Sequence, residues 1–564
     1  MCGICGFSGQ KDRRLLEAMA AALSHRGPDD QGFYEDELAS LGHRRLSIID
    51  LSAQGRQPMS NEDAAVWTVV NGEIYNFKPL REELISQGHI FRSHSDSEVV
   101  AHAYEQYGED FVLKLEGMFA LAIWDSRQKK LVLARDRIGI KPLYYTQHNE
   151  RLLFASEIKA ILEDGGVKRK LNDGGFRQYL AFQCIVTCET MFEGINKLEP
   201  GSILVFQSGQ ARKKKYWSLE EAKNRQATGL QVREALFAAV KSHLVSDVPV
   251  GVLLSGGLDS SAVVAIMAQL GISDIETFTV GFGQPDDEFN FARQVADKFK
   301  TRHHELLIEH GQLPATLEKI VRHMDEPLAD GGAIATYLAA QKIREFVKVV
   351  LVGEGGDETL GGYNWYRIAG LPLPRRLKNK LYFYLTTFYP GPDQKPYEVF
   401  QGLFKDRGTF FDSMAGFEIE NILPNSLLMK VDKMTMAFAL EARVPFLDAG
   451  FVAQASGLDY RKKISALTTK RILREVMSGY LPREILARKK HGFILPVSKW
   501  LTGELKDFAY DNLFSSSNQT DRILGRKPKE RLFEKKSGLK HIENTSLLWK
   551  LLLFELWHKV FMRR

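Results

Sequence analysis

A chain of 564 residues exceeds what one compact core normally organises, so two or more domains are expected. Its 44% apolar and 26% charged residues are those of a globular chain and exclude a disordered or fibrous class. The net charge of +6 is a small difference between 76 basic and 70 acidic residues, which speaks against nucleic acid as a partner, since that calls for a concentrated basic face. The chain opens Met1-Cys2-Gly3-Ile4-Cys5-Gly6 and turns polar by Gln10, unlike a secretory leader. Short β runs follow at 64–70, 120–124, 131–134 and 202–206, with helical patterns at 15–23 and 98–107 and turn signals between them. The basic, polar stretch 207–215, with Lys213, Lys214 and Lys215 as a solvated loop, reads as a linker. Beyond it, β runs at 250–254, 277–282 and 347–352 alternate with longer helical stretches, which predicts a parallel sheet covered by helices on both faces. From about residue 366 the pattern is mostly helical. The last greasy segment, 547–561, is interrupted by Lys550, Glu555 and His558 and reads as a docked amphipathic helix, with no stable membrane insertion expected.

Four cysteines in so long a chain make no disulfide framework and fit a reducing, cytoplasmic setting. Cys184 and Cys188 lack a second pair for a zinc site and read as free thiols; no metal-type cysteine–histidine array is present. Cys2 and Cys5 have a redox-type spacing. Removal of Met1 would instead leave Cys2 with a free α-amine, able to accept the proton of its own thiol.

The sharpest motif is Ser255-Gly256-Gly257-Leu258-Asp259-Ser260-Ser261, set between a β run and a helical pattern. Such a turn exposes backbone N–H groups that no intrahelical carbonyl satisfies, and these attract phosphate oxygens. It has no Gly-Lys pair, so it is not a Walker loop. A second loop, Gly353-Glu354-Gly355-Gly356-Asp357-Glu358, follows another β run. Ligands of parallel sheets gather at the carboxyl ends of strands, so Asp259 and Asp357 are candidate carboxylates for a shared Mg²⁺.

These strings, together with Cys2-Gly3-Ile4, Arg26-Gly27-Pro28-Asp29, Arg45-Leu46-Ser47-Ile48-Ile49-Asp50, Asn71-Gly72-Glu73-Ile74-Tyr75-Asn76, Ser95-Asp96-Ser97-Glu98, Glu441-Ala442-Arg443-Val444-Pro445-Phe446-Leu447-Asp448 and Arg488-Lys489-Lys490-His491-Gly492-Phe493, resemble the glutamine-hydrolysing asparagine synthetases over nearly the whole chain. The resemblance implies an N-terminal αββα Ntn-hydrolase glutaminase domain at 2–210. It also implies a nucleotide α-hydrolase-like ATP-pyrophosphatase domain at 220–564 with a helical C-terminal part. Carried over, Cys2 attacks the glutamine amide; the Asn71 side chain and Gly72 N–H form the oxyanion hole; Arg45 holds the glutamine carboxylate; Glu73 and Asp96 hold its amine; and the backbone of Ile48 and Ile49 lines the site. In the second domain Ser255, Gly257, Asp259 and Ser260 resemble the pyrophosphate-binding group, and Leu253, Val280, Val352 and Gly353 the adenosine and ribose contacts. Glu354 resembles the carboxylate that orders or deprotonates the ammonia intermediate, and Lys490 the lysine that neutralises the leaving pyrophosphate. Val352 departs from the family's usual serine, which removes a hydroxyl contact to the nucleotide.

The implied reaction uses ATP, Mg²⁺ and glutamine to amidate a carboxylate through an acyl-adenylate, with a dry passage for ammonia between the sites. Aspartate is the expected acceptor. The rival is the same chemistry on another carboxylate, such as a uronic-acid sugar or a natural-product intermediate, since 362–401 matches no motif and is expected to line part of the acceptor pocket. Phosphoribosyl amination is disfavoured by the ATP-splitting loop, β-lactam ring closure by the presence of Cys2, and a non-enzymatic binding module by the two motif sets together. A homodimer is a further expectation.

Overall fold

The computed structural model describes residues 2–148, 150–283, 288–308, 313–387, 394–490, 496–515, 519–521, 532 and 539–563. The expected motif residues His491, Gly492 and Phe493 lie outside the described residues.

Two antiparallel sheets build the first domain. One has the order β10 (Asn196–Lys197), β8 (Tyr144–His148), β9 (Arg151–Ala155), β1 (Gly3–Ser8), β3 (Ala39–Arg45), β2 (Asp30–Glu35). The other runs β12 (Gln210–Lys215), β11 (Ser202–Gln207), β7 (Lys130–Arg135), β6 (Gly117–Asp125), β5 (Val66–Ile74), β4 (Met59–Ser60). Alternation along β6 shows how one strand serves two cores. Ala120, Ala122 and Trp124 face the space between the sheets, where they meet Ile4, Leu41 and Phe154. Phe119, Leu121 and Ile123 face outward onto the helices Phe77–Ser86 and Glu98–Tyr107. On the far side Cys5 and Phe7 of β1 pack under the helix Arg13–Ala22 through Leu16 and Met19. The result is the expected αββα stack. Cys5 is therefore core: burial pushes its thiol up to about 12, which removes it from redox chemistry with Cys2.

One reading is corrected. Residues 210–215, expected within a linker, form strand β12, paired with β11 from Ser202↔Lys215 to Gln207↔Gln210. All six side chains are exposed, and Lys213 and Lys214 pair with Glu199 at 3.0 Å and Asp110 at 2.9 Å. An edge strand armoured with lysine resists pairing with another chain, and its polarity made it look like a loop.

The second domain carries five parallel strands in the order β15 (Arg302–Leu307), β14 (Glu276–Gly281), β13 (Val250–Leu253), β16 (Val349–Leu351), β17 (Glu441–Arg443). The chain steps from β13 to β14 on one side and returns to β16 on the other, so the carboxyl ends of β13 and β16 flank a topological switch point, where such sheets bind ligands. Helices Leu258–Gln269 and Gly332–Ile343 cover opposite faces. The C-terminal helix Leu539–Phe561 docks as expected. Its Trp557 indole donates to Asp325 O at 2.6 Å and Tyr179 donates to Lys550 O at 2.7 Å, so it clasps both domains. Lys550 interrupts the apolar run without reaching solvent. It is buried, donates to Leu180 O at 2.7 Å, and burial lowers it to about 8. Among the described residues no helix is long and apolar enough to cross a membrane.

Candidate active sites

Cys2 immediately precedes β1 and is 7% exposed. Its backbone N–H donates to Asn71 Oδ1 at 3.3 Å, and the Arg26 Nε donates to its carbonyl at 3.0 Å. Asn71 lies on β5, and its Nδ2 is buried without a hydrogen-bond partner. A buried orphan donor costs stability, so one placed beside a thiol is poised for an acceptor that arrives with a ligand. Burial pushes the Cys2 thiol up, so attack requires a proton acceptor close by. The next residue, Gly72, has φ +152°, and a Cβ there would lie 2.0 Å from Met118 O. Only glycine fits that register of β5 against β6.

Behind Asn71 the electrostatics are lopsided. Glu73, Asp96 and Glu441 are buried around the single guanidinium of Arg443, which lies 2.5 Å from Glu441 and 3.5 Å from Glu73. Asp96 accepts from Ile74 N at 2.8 Å, yet burial, reinforced by Glu441, pushes it up to about 6. Burial, then the charges of Glu441 and Asp96, push Glu73 well up. Such a cluster gains from a cation bound against it. Arg45, at the end of β3, donates to Ser52 O at 2.9 Å, to Ile49 O at 3.4 Å and to Asp50 O. These bonds hold the loop bearing buried Ile48 and Ile49, and use part of a guanidinium's five donors.

The second site is a cavity of about 410 Å³ at the switch point, within the range of small-molecule pockets. The helix Leu258–Gln269 begins at its floor with Gly257 as N-cap. Ser255 and Ser260 hydroxyls lie 3.1 Å apart, and Gly257 N donates to Ser255 Oγ at 3.3 Å. Gly256 makes the turn at φ +64°, where a Cβ would sit 2.6 Å from Ala292 N. The second loop presses on the first: a Cβ on Gly356 would approach Asp259 Cγ to 2.9 Å. Asp259 and Asp357 thereby converge on one ammonium, Lys470, which contacts Asp259 and lies 2.6 Å from Asp357. Lys490 lies 2.6 Å from the other oxygen of Asp357. Against burial, Lys470 and Lys490 hold Asp357 down at about 2, whereas burial outweighs Lys470 at Asp259 and pushes it up. Asp259 Oδ1 has no hydrogen-bond partner. The donor set fits a divalent ion, which Asp259 and Asp357 would hold.

Comparison with known proteins now decides the family. A family model described as "Asparagine synthase" matches residues 231–559, and one described as "Glutamine amidotransferase domain" matches residues 1–217. The chain belongs to the glutamine-hydrolysing asparagine synthetase family. It is 34% identical to asparagine synthetase 1 of Bacillus subtilis (strain 168), over 99% of this chain and 97% of the relative. It is 33% identical to asparagine synthetase 3 of the same organism, over 87% and 86%. Asparagine synthetase 2 of Arabidopsis thaliana is 34% identical, over 90% and 81%.

Of the residues that the family resemblance singled out, Leu253, Ser255, Gly257, Asp259, Ser260, Val280, Gly353, Glu354, Asp357 and Lys490 all line the cavity. Val352 is buried beside it and does not line it. Burial, opposed by Lys430, pushes Glu354 up. Sequence reasoning missed Lys470, Lys430 and Glu358. Lys470 follows two threonines ahead of a helix, with φ +51°, and nothing local marks it as the partner of residues 211 and 113 positions away. Glu358, pushed up to about 7 by burial and then Asp357, is the last residue of the second loop and was within reach.

Proposed function

We propose that this synthetase transfers the amide nitrogen of glutamine to aspartate, forming asparagine at the expense of ATP. The observation that carries the reading is the pairing, in one chain, of a buried Cys2 beside the orphan Asn71 Nδ2 with a phosphate loop beside two converging aspartates.

In the first site the Cys2 thiol attacks the glutamine side-chain amide carbon, its proton passing to the α-amine that removal of Met1 would free. Asn71 Nδ2 and the Gly72 N–H stabilise the oxyanion, a contribution worth a few kcal/mol. The surplus carboxylates Glu73 and Asp96 attract the α-ammonium, and the remaining donors of Arg45 its carboxylate. Ammonia leaves, and water releases glutamate from the thioester. In the second site the loop Ser255–Ser260 grips the phosphates while Leu253 and Val280 shelter the adenine. The acceptor carboxylate attacks the α-phosphorus, giving an acyl-adenylate and pyrophosphate. Lys470 and Lys490 neutralise the charge that grows on the leaving group. Mg²⁺, when bound by Asp259 and Asp357, supplies further neutralisation there. Glu354, pushed up by burial, takes the extra proton as ammonia displaces AMP.

The test supplies ATP, Mg²⁺ and ammonia with aspartate, and measures asparagine, AMP and pyrophosphate. Equal yields of the three support the reading. Pyrophosphate release with a uronic acid and none with aspartate would move the acceptor to the rival class.

A further inference from the structure

Outside both sites, four side chains converge on the outer helical layer of the first domain. Glu62 sits in the loop after β4, His89 in the turn after the helix Phe77–Ser86, and His102 and Glu105 one turn apart on the helix Glu98–Tyr107. One donor atom from each lies within 4.8 Å of all the others. His89 Nδ1 is 3.0 Å from Glu62 Oε1 and 3.9 Å from Glu105 Oε2, and His102 Nδ1 is 3.2 Å from the same Glu62 oxygen. A tetrahedral ion with bonds of about 2.0–2.1 Å sets its ligands roughly 3.3 Å apart, so these donors already span such an ion's edges.

Two further observations separate this cluster from an ordinary set of ion pairs. His102 is fully buried, and neither of its ring nitrogens makes a hydrogen bond. Leaving an imidazole so is costly, and a bound ion would satisfy it. The far nitrogen of each ring also faces an acceptor: His89 Nε2 lies 3.3 Å from Gln106 Oε1, and His102 Nε2 3.7 Å from Glu98 Oε1. With an ion on Nδ1, the far N–H of His89 would be satisfied by Gln106. The carboxylates are oriented as well, Glu62 by Ile90 N at 2.7 Å and Glu105 by Asn61 Nδ2 at 2.8 Å. Their side chains are 29% and 24% exposed, which gives an ion a way in.

We propose that Glu62, His89, His102 and Glu105 form a structural binding site for a zinc-class divalent ion that ties two loops to the helix Glu98–Tyr107. Two imidazoles and two carboxylates with four-coordinate spacing suit Zn²⁺ and not Mg²⁺, which demands six oxygen ligands. The test uses the full chain stripped with a chelator and then titrated with Zn²⁺, followed by calorimetry and thermal melting. His89→Gln, at the rim of the site, and His102→Asn, at its buried end, are compared with wild type, so that a folding defect in the buried variant leaves the rim variant to decide. The expected result is one zinc site present in wild type and absent from His89→Gln. Saturating Zn²⁺ should raise the wild-type Tm by roughly 5–10 °C, with no rise from Mg²⁺. Because His89→Gln keeps Asp259 and Asp357, zinc held elsewhere subtracts out. Equal zinc uptake and an equal Tm shift in wild type and His89→Gln would overturn the proposal.

Discussion

At Cys2 three features coincide: a buried thiol, an oriented backbone and an unused amide donor on Asn71. Burial alone makes a thiol inert, and Glu73 and Glu441 push this one further up, so the orphan Nδ2 is what supports the proposed role of Cys2. Cys2→Ala is therefore expected to abolish glutamate release from glutamine while leaving amide synthesis from added ammonia near wild type. A variant that still forms glutamate at the wild-type rate would remove Cys2 from the role of nucleophile. The legibility of this site follows from its chain geometry. Asn71, Gly72 and Glu73 are consecutive on one strand, so a short string carries the whole arrangement. Lys470 shows the opposite case: its role exists only because β13, β16 and the helix Arg471–Met477 meet in space. The proposed zinc ligands are scattered in the same way, with only His102 and Glu105 at a helical spacing that a sequence displays.

At the scale of elements, strands with buried runs were readable and polar or short ones were not. β12 is all exposed, and β17 has three residues inside a motif first noticed for other reasons. Within 362–401, which matched no motif, Tyr382 and Phe400 join an aromatic cluster with Phe404 and Phe417, and the Tyr382 hydroxyl donates to Glu418. Burial pushes Glu418 up to about 8, the Tyr382 hydroxyl opposing and the charge of Glu358 reinforcing the rise. An unfolded glutamate titrates near 4.5. Between these values the folded chain keeps a proton that the unfolded chain has lost. The stabilisation is thus complete below 4.5 and is lost as pH rises through 8. From pH 6 to pH 9 this loss is on the order of a few kcal/mol. Glu418→Gln cannot titrate, so its melting temperature should exceed that of wild type by a margin that widens over this interval. Parallel Tm profiles for the two proteins would show that Glu418 does not hold its proton.

For the whole molecule, the question is what makes two enzymes in one chain act as one. Their interface holds buried charges. Arg26 of the first domain is fully buried, 2.9 Å from Glu157 and 2.8 Å from Asp432 on the helix Leu427–Met436 of the second. Lys141 adds a contact with Asp432 at 3.6 Å, and Lys159 of the first domain reaches Asp325 at 2.8 Å. The same Arg26 donates to the carbonyl of Cys2, so the backbone of Cys2 is tied through one guanidinium to the synthetase domain. Apolar packing could join the domains as firmly, but it would not link the position of Cys2 to that of the helix Leu427–Met436. Removing one member of a buried ion pair typically costs about 3–5 kcal/mol, because the other charge is left uncompensated. In Asp432→Asn, Arg26 keeps Glu157 but loses its only described carboxylate across the interface, and Lys141 loses its partner. The first domain still holds Cys2, Asn71 and Gly72, so glutamine hydrolysis should continue. The second still holds both phosphate loops, so synthesis from ammonia should continue too. What should fail is delivery: glutamate should form in excess over pyrophosphate, where wild type should form them in equal amounts. Measuring glutamate, pyrophosphate and amide together, with glutamine and then with ammonia as nitrogen source, separates this from a general loss of fold. If the variant melts earlier but still makes glutamate and pyrophosphate in equal amounts, the buried pair only stabilises the interface, and coupling must reside elsewhere along it.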